Sequence, residues 1–276
     1  MKNVELTLGC IMRNEGHHIA EWLVHHHLVG FDRFVCVLHQ CVDNTEEELN
    51  RVKERLGLDV FVHHCKTEGK VQMGSYQWMM EQYGARTEWL LYLDADEFVY
   101  CTTPSITYSN DLKDYLRKLR SASAVAVNNK VFGPNRNIIR PASRLTAYTE
   151  RLPFTEIASR SIKTFIRTSQ FVHVMSPHYQ QVDGLTVRFN DKTFTVADGC
   201  RSLEEPIWEP VCFNHYYTGS VEDWVARYRR GSCNDLRPNH AYSVDEFLYH
   251  THNMEYDDAI LKYQGWHQAL MEQLSC

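Results

Sequence analysis

Three carboxylates in four positions, Asp94, Asp96 and Glu97, follow directly on the apolar run Trp89 to Leu93. A run of aromatic and branched residues of that length reads as a strand buried on both faces, as in a parallel sheet. In open α/β sheets ligands sit at the carboxyl ends of the strands, where these acids fall. Like charges crowded and partly desolvated are costly unless paired or bound to a cation. Hard oxygen donors suit Mg2+ or Mn2+, so the cluster predicts a divalent metal site. The residues alone leave a second reading open, a solvated acidic loop after a strand.

The elements that would position this cluster follow from the periodicity of the preceding chain. Val4 to Ile11 reads as a strand and ends in the polar loop Met12 to Gly16. Ile19, Trp22, Leu23, His26 and His27 fall at helical spacings, and Gly30 stops that helix. Phe34 to Leu38 is a second strand, followed by the loop Asp43 to Thr45 and a charged helix from Glu46 to Leu56. Asp59 to His64 is a third strand, and Gln72 to Tyr83 a third helix. This β-α-β-α-β-α-β order predicts a parallel sheet with helices on both faces. Its three loops, at residues 13–16, 43–45 and 94–97, would line one sheet edge. That is a nucleotide-pocket layout without a G-x-G-x-x-G fingerprint or a P-loop.

The second half is less regular. A basic helix is expected from Asp111 to Ser121, and strands at Ala124 to Val127, Ser161 to Arg167 and Pro210 to Tyr217. Leu185 to Val196 reads as a hairpin around Asn190 and Asp191. Asn135 to Thr155 has the profile of a loop over a cleft. Ser220 is placed to cap a helix from Val221 to Arg230, and a last helix is expected from about Asp257 to Gln273. Residues 1–231 are expected to form one domain and 232–276 a helical extension packed on it.

Composition narrows the class. With 276 residues and 43% hydrophobic content the chain can bury a substantial core. A net charge of −6 argues against broad nucleic-acid binding. No apolar run reaches the ~20 residues that span a bilayer, and no signal-peptide core follows Met1. Nine cysteines without metal-site spacing read as reduced thiols, which points to the cytoplasm. The runs His25 to His27 and His63 to His64 do not read as metal sites, because adjacent side chains point in different directions.

Taken together, Asn14 and Glu15, Glu21 to Leu23 with His26 and Gly30, Asp43 to Thr45, and Leu93 to Phe98 carry a resemblance. Phe132 and Gly133, Lys163, His178, and His215 and Tyr216 with Ser220, Glu222 and Gly231 continue it in order. The chain resembles glycosyltransferase family 2-like proteins close to glycosyltransferase family 92, over roughly residues 3 to 231. The resemblance implies a GT-A fold, Rossmann-like with a mixed central sheet and a C-terminal helical tail. It also implies a nucleotide-diphosphate sugar donor, with a UDP-sugar expected, an Asp-x-Asp cation and inversion at the anomeric centre. Two departures stand out. Asn128 and Asn129 replace a tryptophan common before the Phe-Gly pair, and Gly219 replaces a lysine before the serine.

On that footing Asp96 is expected as the direct Mn2+ or Mg2+ ligand. Asp94 would lie nearer the ribose or a metal-bound water, within the same metal set, and His215 would be a third ligand. Arg13, Glu15 and Asp43 would line the nucleotide pocket, and Lys163 and His178 would contact diphosphate or substrate. Glu97 would brace the metal loop. Inversion needs a general base for the acceptor hydroxyl. Glu150, Glu156 and Asp198 are candidates, with Glu156 first for its apolar setting and Asp198 beside it. The acceptor is expected to be a glycan or another hydroxyl compound, and the chain to be either complete or one module of a larger glycan-assembly protein. Competing readings are metal-dependent phosphoryl transfer or hydrolysis, and a glycan-binding protein that has lost catalysis.

Overall fold

A computed structural model describes residues 5–103, 111–192, 196, 199–231, 243–251 and 254–275. The first half alternates as its periodicity predicts: β1 (Leu6–Met12), α1 (Ile19–Val29), β2 (Arg33–His39), α2 (Thr45–Leu56), β3 (Asp59–Cys65), α3 (Gln72–Tyr83) and β4 (Trp89–Tyr92). Strands β3, β2, β1 and β4 lie side by side in parallel, with Leu8 paired to Phe34 on one side and Leu91 on the other. Every residue of β1 and β4 is buried, which is why these strands read as continuous apolar runs rather than alternating ones. Helix α1 ends at Gly30, whose φ of 117° suits a residue without Cβ.

The apolar run does not stop at the acids. After Asp94 to Asp96 it resumes as β5 (Glu97–Cys101), a strand not expected beyond the acids. Next come α4 (Asp111–Lys118), β6 (Ala122–Val131), α5 (Arg144–Ala147), β7 (Glu150–Arg151), β8 (Ile162–Arg167), β9 (Phe171–Val174), β10 (Gln180–Val182) and β11 (Leu185–Arg188). The chain closes with β12 (Val211–His215), α6 (Val221–Arg230), α7 (Val244–Tyr249), β13 (Glu255–Tyr256) and α8 (Gln264–Ser275). The main sheet runs β3-β2-β1-β4-β8-β6-β12-β5, and β11 also pairs with β6. Strand β8 is antiparallel to both β4 and β6, and β12 is antiparallel to β5, so the sheet is mixed. The α/β class, the mixed central sheet and a C-terminal helix are as expected.

Two local expectations change. The turn at Asn190 and Asp191 exists, with Asp191 at φ 61° and its N–H bonded to the Arg188 carbonyl. Strand β11 also pairs in parallel with β6, the Arg188 N–H donates across the turn to the Lys192 carbonyl at 2.9 Å, and most of the expected second arm lies outside the described residues. The last helix starts later, because Ala259–Tyr263 form a 3-10 turn before α8.

The histidines of α1 are structural. His25 Nε2 donates to the Val99 carbonyl at 2.8 Å, and His26 Nε2 accepts from the Val99 N–H at 3.2 Å. Trp22 Nε1 donates to the Glu97 carbonyl at 2.9 Å. These bonds fasten α1 to β5, the strand that leaves the acidic cluster. Helix α8 packs on α1 and α2, where Arg51 donates to the Leu274 carbonyl at 2.7 Å. The seven cysteines among the described residues are all free. Among those residues no helix is long and apolar enough to cross a membrane.

Candidate active site

The carboxyl edge of β1, β2 and β4 gathers the three loops the periodicity placed there. Glu15 N–H donates to Thr45 Oγ1 at 2.9 Å, and Gly16 N–H donates to Asp43 Oδ2 at 3.0 Å. Gly16 is required by this approach, since a Cβ there would stand 2.2 Å from Asn44 Oδ1. Asp43 Oδ1 also accepts from the N–H and hydroxyl of Thr45. Asp43 therefore clamps two loops together and lines a side cavity of about 210 Å3. The main cleft, about 350 Å3, is bordered by Arg13, Glu15, Asp94, Asp96, His178 and His215, with Gln72, Arg227 and Arg230.

Strand register delivers the distant histidine. In the antiparallel β5–β12 pair His215 lies opposite Glu97, and the Tyr216 N–H donates to the Asp96 carbonyl at 2.9 Å. His215 Nε2 thus comes to 3.7 Å from Asp96 Oδ1, and its Nδ1 to 3.9 Å from Glu97 Oε1. Burial holds the His215 imidazole below its ordinary pKa against the pull of Asp96 and Asp94, so the ring is neutral at pH 7. Asp96 Oδ2 meets Arg227 Nη2 at 2.7 Å. Burial alone would raise the Asp96 pKa, but Arg227 and His215 hold it below the usual carboxylate range.

Asp94 is differently employed. Its Oδ2 accepts from Lys163 Nζ at 2.9 Å and its Oδ1 from Gln72 Nε2 at 3.0 Å. Lys163, 1% exposed, also meets Glu97 Oε2 at 3.1 Å and donates to the Pro177 carbonyl. Lys163 is a buried counterion beneath the acids, with its three donors directed to protein oxygens. Glu97 accepts from the Asp94 N–H at 2.9 Å and braces the loop. Burial, with Asp94 and Asp96 nearby, outweighs Lys163 and raises the Glu97 pKa to about 8.

The metal set expected from sequence is therefore only partly assembled. Among the described residues no three His, Cys, Asp or Glu side chains converge as a cation cage. Asp94 is turned to Lys163 and Gln72, while Asp96 Oδ1 and a neutral His215 stand together on the cleft. A carboxylate with an imidazole suits Mn2+ better than Mg2+, which prefers oxygen donors; either ion commonly completes its shell with water and substrate phosphate.

His178 donates from Nδ1 to the Ile162 carbonyl at 3.1 Å, since a carbonyl can only accept. Burial, with Lys163 nearby, lowers its pKa to about 4. The ring is neutral, and its Nε2 carries a lone pair rather than a proton. Arg13 is the reverse case: among the described residues its Nε and Nη1 have no hydrogen-bond partner. Glu15 bridges Arg230 Nη2 at 2.8 Å and Arg144 Nη2 at 3.3 Å.

Glu156 lines neither cavity; its Oε2 accepts from the Tyr249 hydroxyl at 2.6 Å in an exposed setting. Its sequence neighbours are apolar, but the chain turns the carboxylate outward. Asp198 lies outside the described residues. The carboxylates bordering the cleft, Glu15, Asp94 and Asp96, all face cations already.

Gln72, Arg144, Arg227 and Arg230 were not singled out from sequence. Arg227 and Arg230 sit three apart near the end of α6, where basic residues read as ordinary partners of the helix dipole. The only sequence signal for Gln72 was its place at the start of the helix after β3.

Fold and cleft together define an α/β enzyme domain with a mixed acid and base ligand site at its sheet edge. The chain belongs to glycosyltransferase family 92, whose model matches residues 10–197. It is 23% identical over 234 residues to a glycosyltransferase family 92 protein of Ricinus communis, covering 83% of this chain and 41% of that protein. The chain thus spans about two fifths of the length of that relative. Among solved structures it is similar to TarS 1-349 of S. aureus, at 17% identity and a TM-score of 0.41, covering 60% of this chain and 48% of that one. It is also similar to the mannosyltransferase PcManGT from Pyrobaculum calidifontis in complex with GDP-Man and Mn2+. That match has 16% identity and a TM-score of 0.36, covering 51% and 37% of the respective chains.

Proposed function

We propose that this chain moves a sugar from a nucleotide-diphosphate donor, a UDP-sugar, to a hydroxyl of a glycan acceptor, with inversion and with Mn2+ or Mg2+. One observation carries the reading. Asp96 and a neutral His215 share a cleft wall with Arg13, Arg227 and Arg230, so cation ligands and phosphate partners face one space. Family membership supplies the reaction class. Among the protein's residues, Asp96 and His215 would hold the cation, while Asp94 keeps Lys163 and Gln72 in place. The bound cation would supply Lewis-acid compensation for the charge growing on the leaving diphosphate. Arg13, two of whose nitrogens have no partner among the described residues, is suited to a phosphate oxygen. His178 Nε2 accepts from a ribose or sugar hydroxyl; an anionic oxygen would meet its lone pair.

The reading predicts that UDP raises the melting temperature only with Mn2+ or Mg2+ present. At ~100-fold above Kd the gain is about 2.7 kcal/mol. Asp96→Ala should abolish the metal-dependent part. No shift with UDP, GDP or ADP, with or without metal, would sink the transferase reading.

A further inference from the structure

The cleft's carboxylates are neutralised by the protein's own cations. Asp94 takes Lys163, Glu15 bridges Arg144 and Arg230, and Asp96 takes Arg227. The two cations on the Asp-x-Asp pair differ in what surrounds them. Lys163 is enclosed and borders neither cavity. Arg227 forms part of the wall, with Glu15 and Arg230, between the main cleft and the side cavity of about 210 Å3. Its Nη1 donates to the Tyr217 carbonyl, while its Nη2 is the nitrogen that meets Asp96.

We propose that Arg227 is an exchangeable counterion: it neutralises Asp96 in the empty cleft, and passes to a diphosphate oxygen when cation and nucleotide bind. The inference deepens the donor-and-metal reading and rests on it. A divalent cation arriving alone at Asp96 would meet a guanidinium already 2.7 Å from the same carboxylate. Displacing that guanidinium without a new anion would leave a buried charge unpaired, which is strongly unfavourable. A diphosphate arriving alone would have to draw Arg227 off Asp96 and leave the carboxylate bare. Arriving together, they give every charge a partner: the cation takes Asp96 and the diphosphate takes Arg227. Cation and nucleotide binding are therefore coupled, and by linkage each tightens the other by the same factor.

The test is Mn2+ binding, read from the electron paramagnetic resonance of free Mn2+, with and without saturating UDP. In the unmodified protein UDP should tighten Mn2+ about tenfold or more. Arg227→Gln should bind Mn2+ alone several-fold tighter, because the competing charge is gone, and the factor by which UDP tightens Mn2+, corrected for Mn2+ held by UDP without protein, should fall several-fold below that of the unmodified protein. Arg230→Gln, which removes a cleft arginine that pairs with Glu15 instead, should keep the full coupling. Mn2+ binding unchanged in Arg227→Gln, or coupling undiminished there, overturns the exchange while leaving the donor-and-metal reading standing. No Mn2+ binding by any of these proteins, with or without UDP, removes both. If Arg227→Gln does not fold, Arg227→Lys carries the test. It keeps the charge but not the forked reach, so its coupling must fall, and unchanged coupling overturns the exchange.

Discussion

His178 shows how one hydrogen bond fixes a residue's role. Because Nδ1–H is committed to the Ile162 carbonyl, the cleft receives a lone pair, and a pKa of about 4 keeps it so across the neutral range. A diphosphate contact, which the family resemblance allowed, would need a proton on that face. Hydroxyl acceptance needs none. Replacing His178 by Phe should therefore weaken UDP-sugar binding about tenfold, the worth of one lost hydrogen bond of ~1.4 kcal/mol. Gln, whose carbonyl can accept, should restore most of it, and binding by either protein should be flat from pH 6 to 8. Isothermal titration on the two variants separates the cases; equal losses for Phe and Gln would show that shape, not acceptance, matters there.

At the scale of elements, α6 carries the cleft's mobile charge. Its start is set by a capping box: Ser220 Oγ accepts from the Asp223 N–H at 3.1 Å, and Asp223 Oδ2 accepts from the Ser220 N–H at 3.0 Å. Asp223 also meets Arg140 Nε at 2.5 Å, which ties the helix start to the loop before α5. Ser220→Ala should cost about 1 kcal/mol in urea unfolding. It should also weaken UDP binding, because Arg227 and Arg230 ride on the helix that the box positions. This cap was legible in the sequence, as was the whole β1-to-β4 half, where a 3.6 period alternates with short apolar runs. What escaped was long-range. Strand β5 follows β4 after only four residues, so one apolar run hid two strands. That β11 joins β6, or that His215 falls opposite Glu97, depends on register across more than 60 and 110 residues respectively, and no local pattern encodes it. Of the cleft arginines, Arg13 was expected from its loop, while Arg227 and Arg230 lie in the last turn of α6, where basic residues are ordinary partners of the helix dipole.

Over the whole molecule, the histidines buried by α1 set the response to acid. His25 is fully enclosed and bonded to the Val99 carbonyl, and burial lowers its pKa to about 3. His18, 2% exposed, is likewise lowered to about 3, by burial and then by Arg144. His26 is shifted the same way by burial and by His25. A histidine held neutral in the fold contributes stability that is present above its ordinary pKa of ~6.5 and is lost as pH falls toward the folded value. The unfolded chain binds more protons throughout that window, so stability must rise with pH there. At pH 5, His25 and His18 each give up about 2 kcal/mol relative to pH 8, and His26 adds to the loss. Against a total of ~5–15 kcal/mol for a domain, this is a large share. Glu97 acts in the opposite sense. Its folded pKa of about 8 lies above the ordinary carboxylate value of ~4.3, so its contribution is full below that value and is lost progressively as pH rises from there to about 8. Urea midpoints should therefore fall steeply from pH 6.5 to 5. His25→Gln, which cannot take the proton, should flatten that limb by one proton's slope, and Glu97→Gln should remove the opposing one-proton decline that Glu97 imposes between its ordinary carboxylate pKa and about 8. An acid limb unchanged in His25→Gln would place the proton uptake elsewhere.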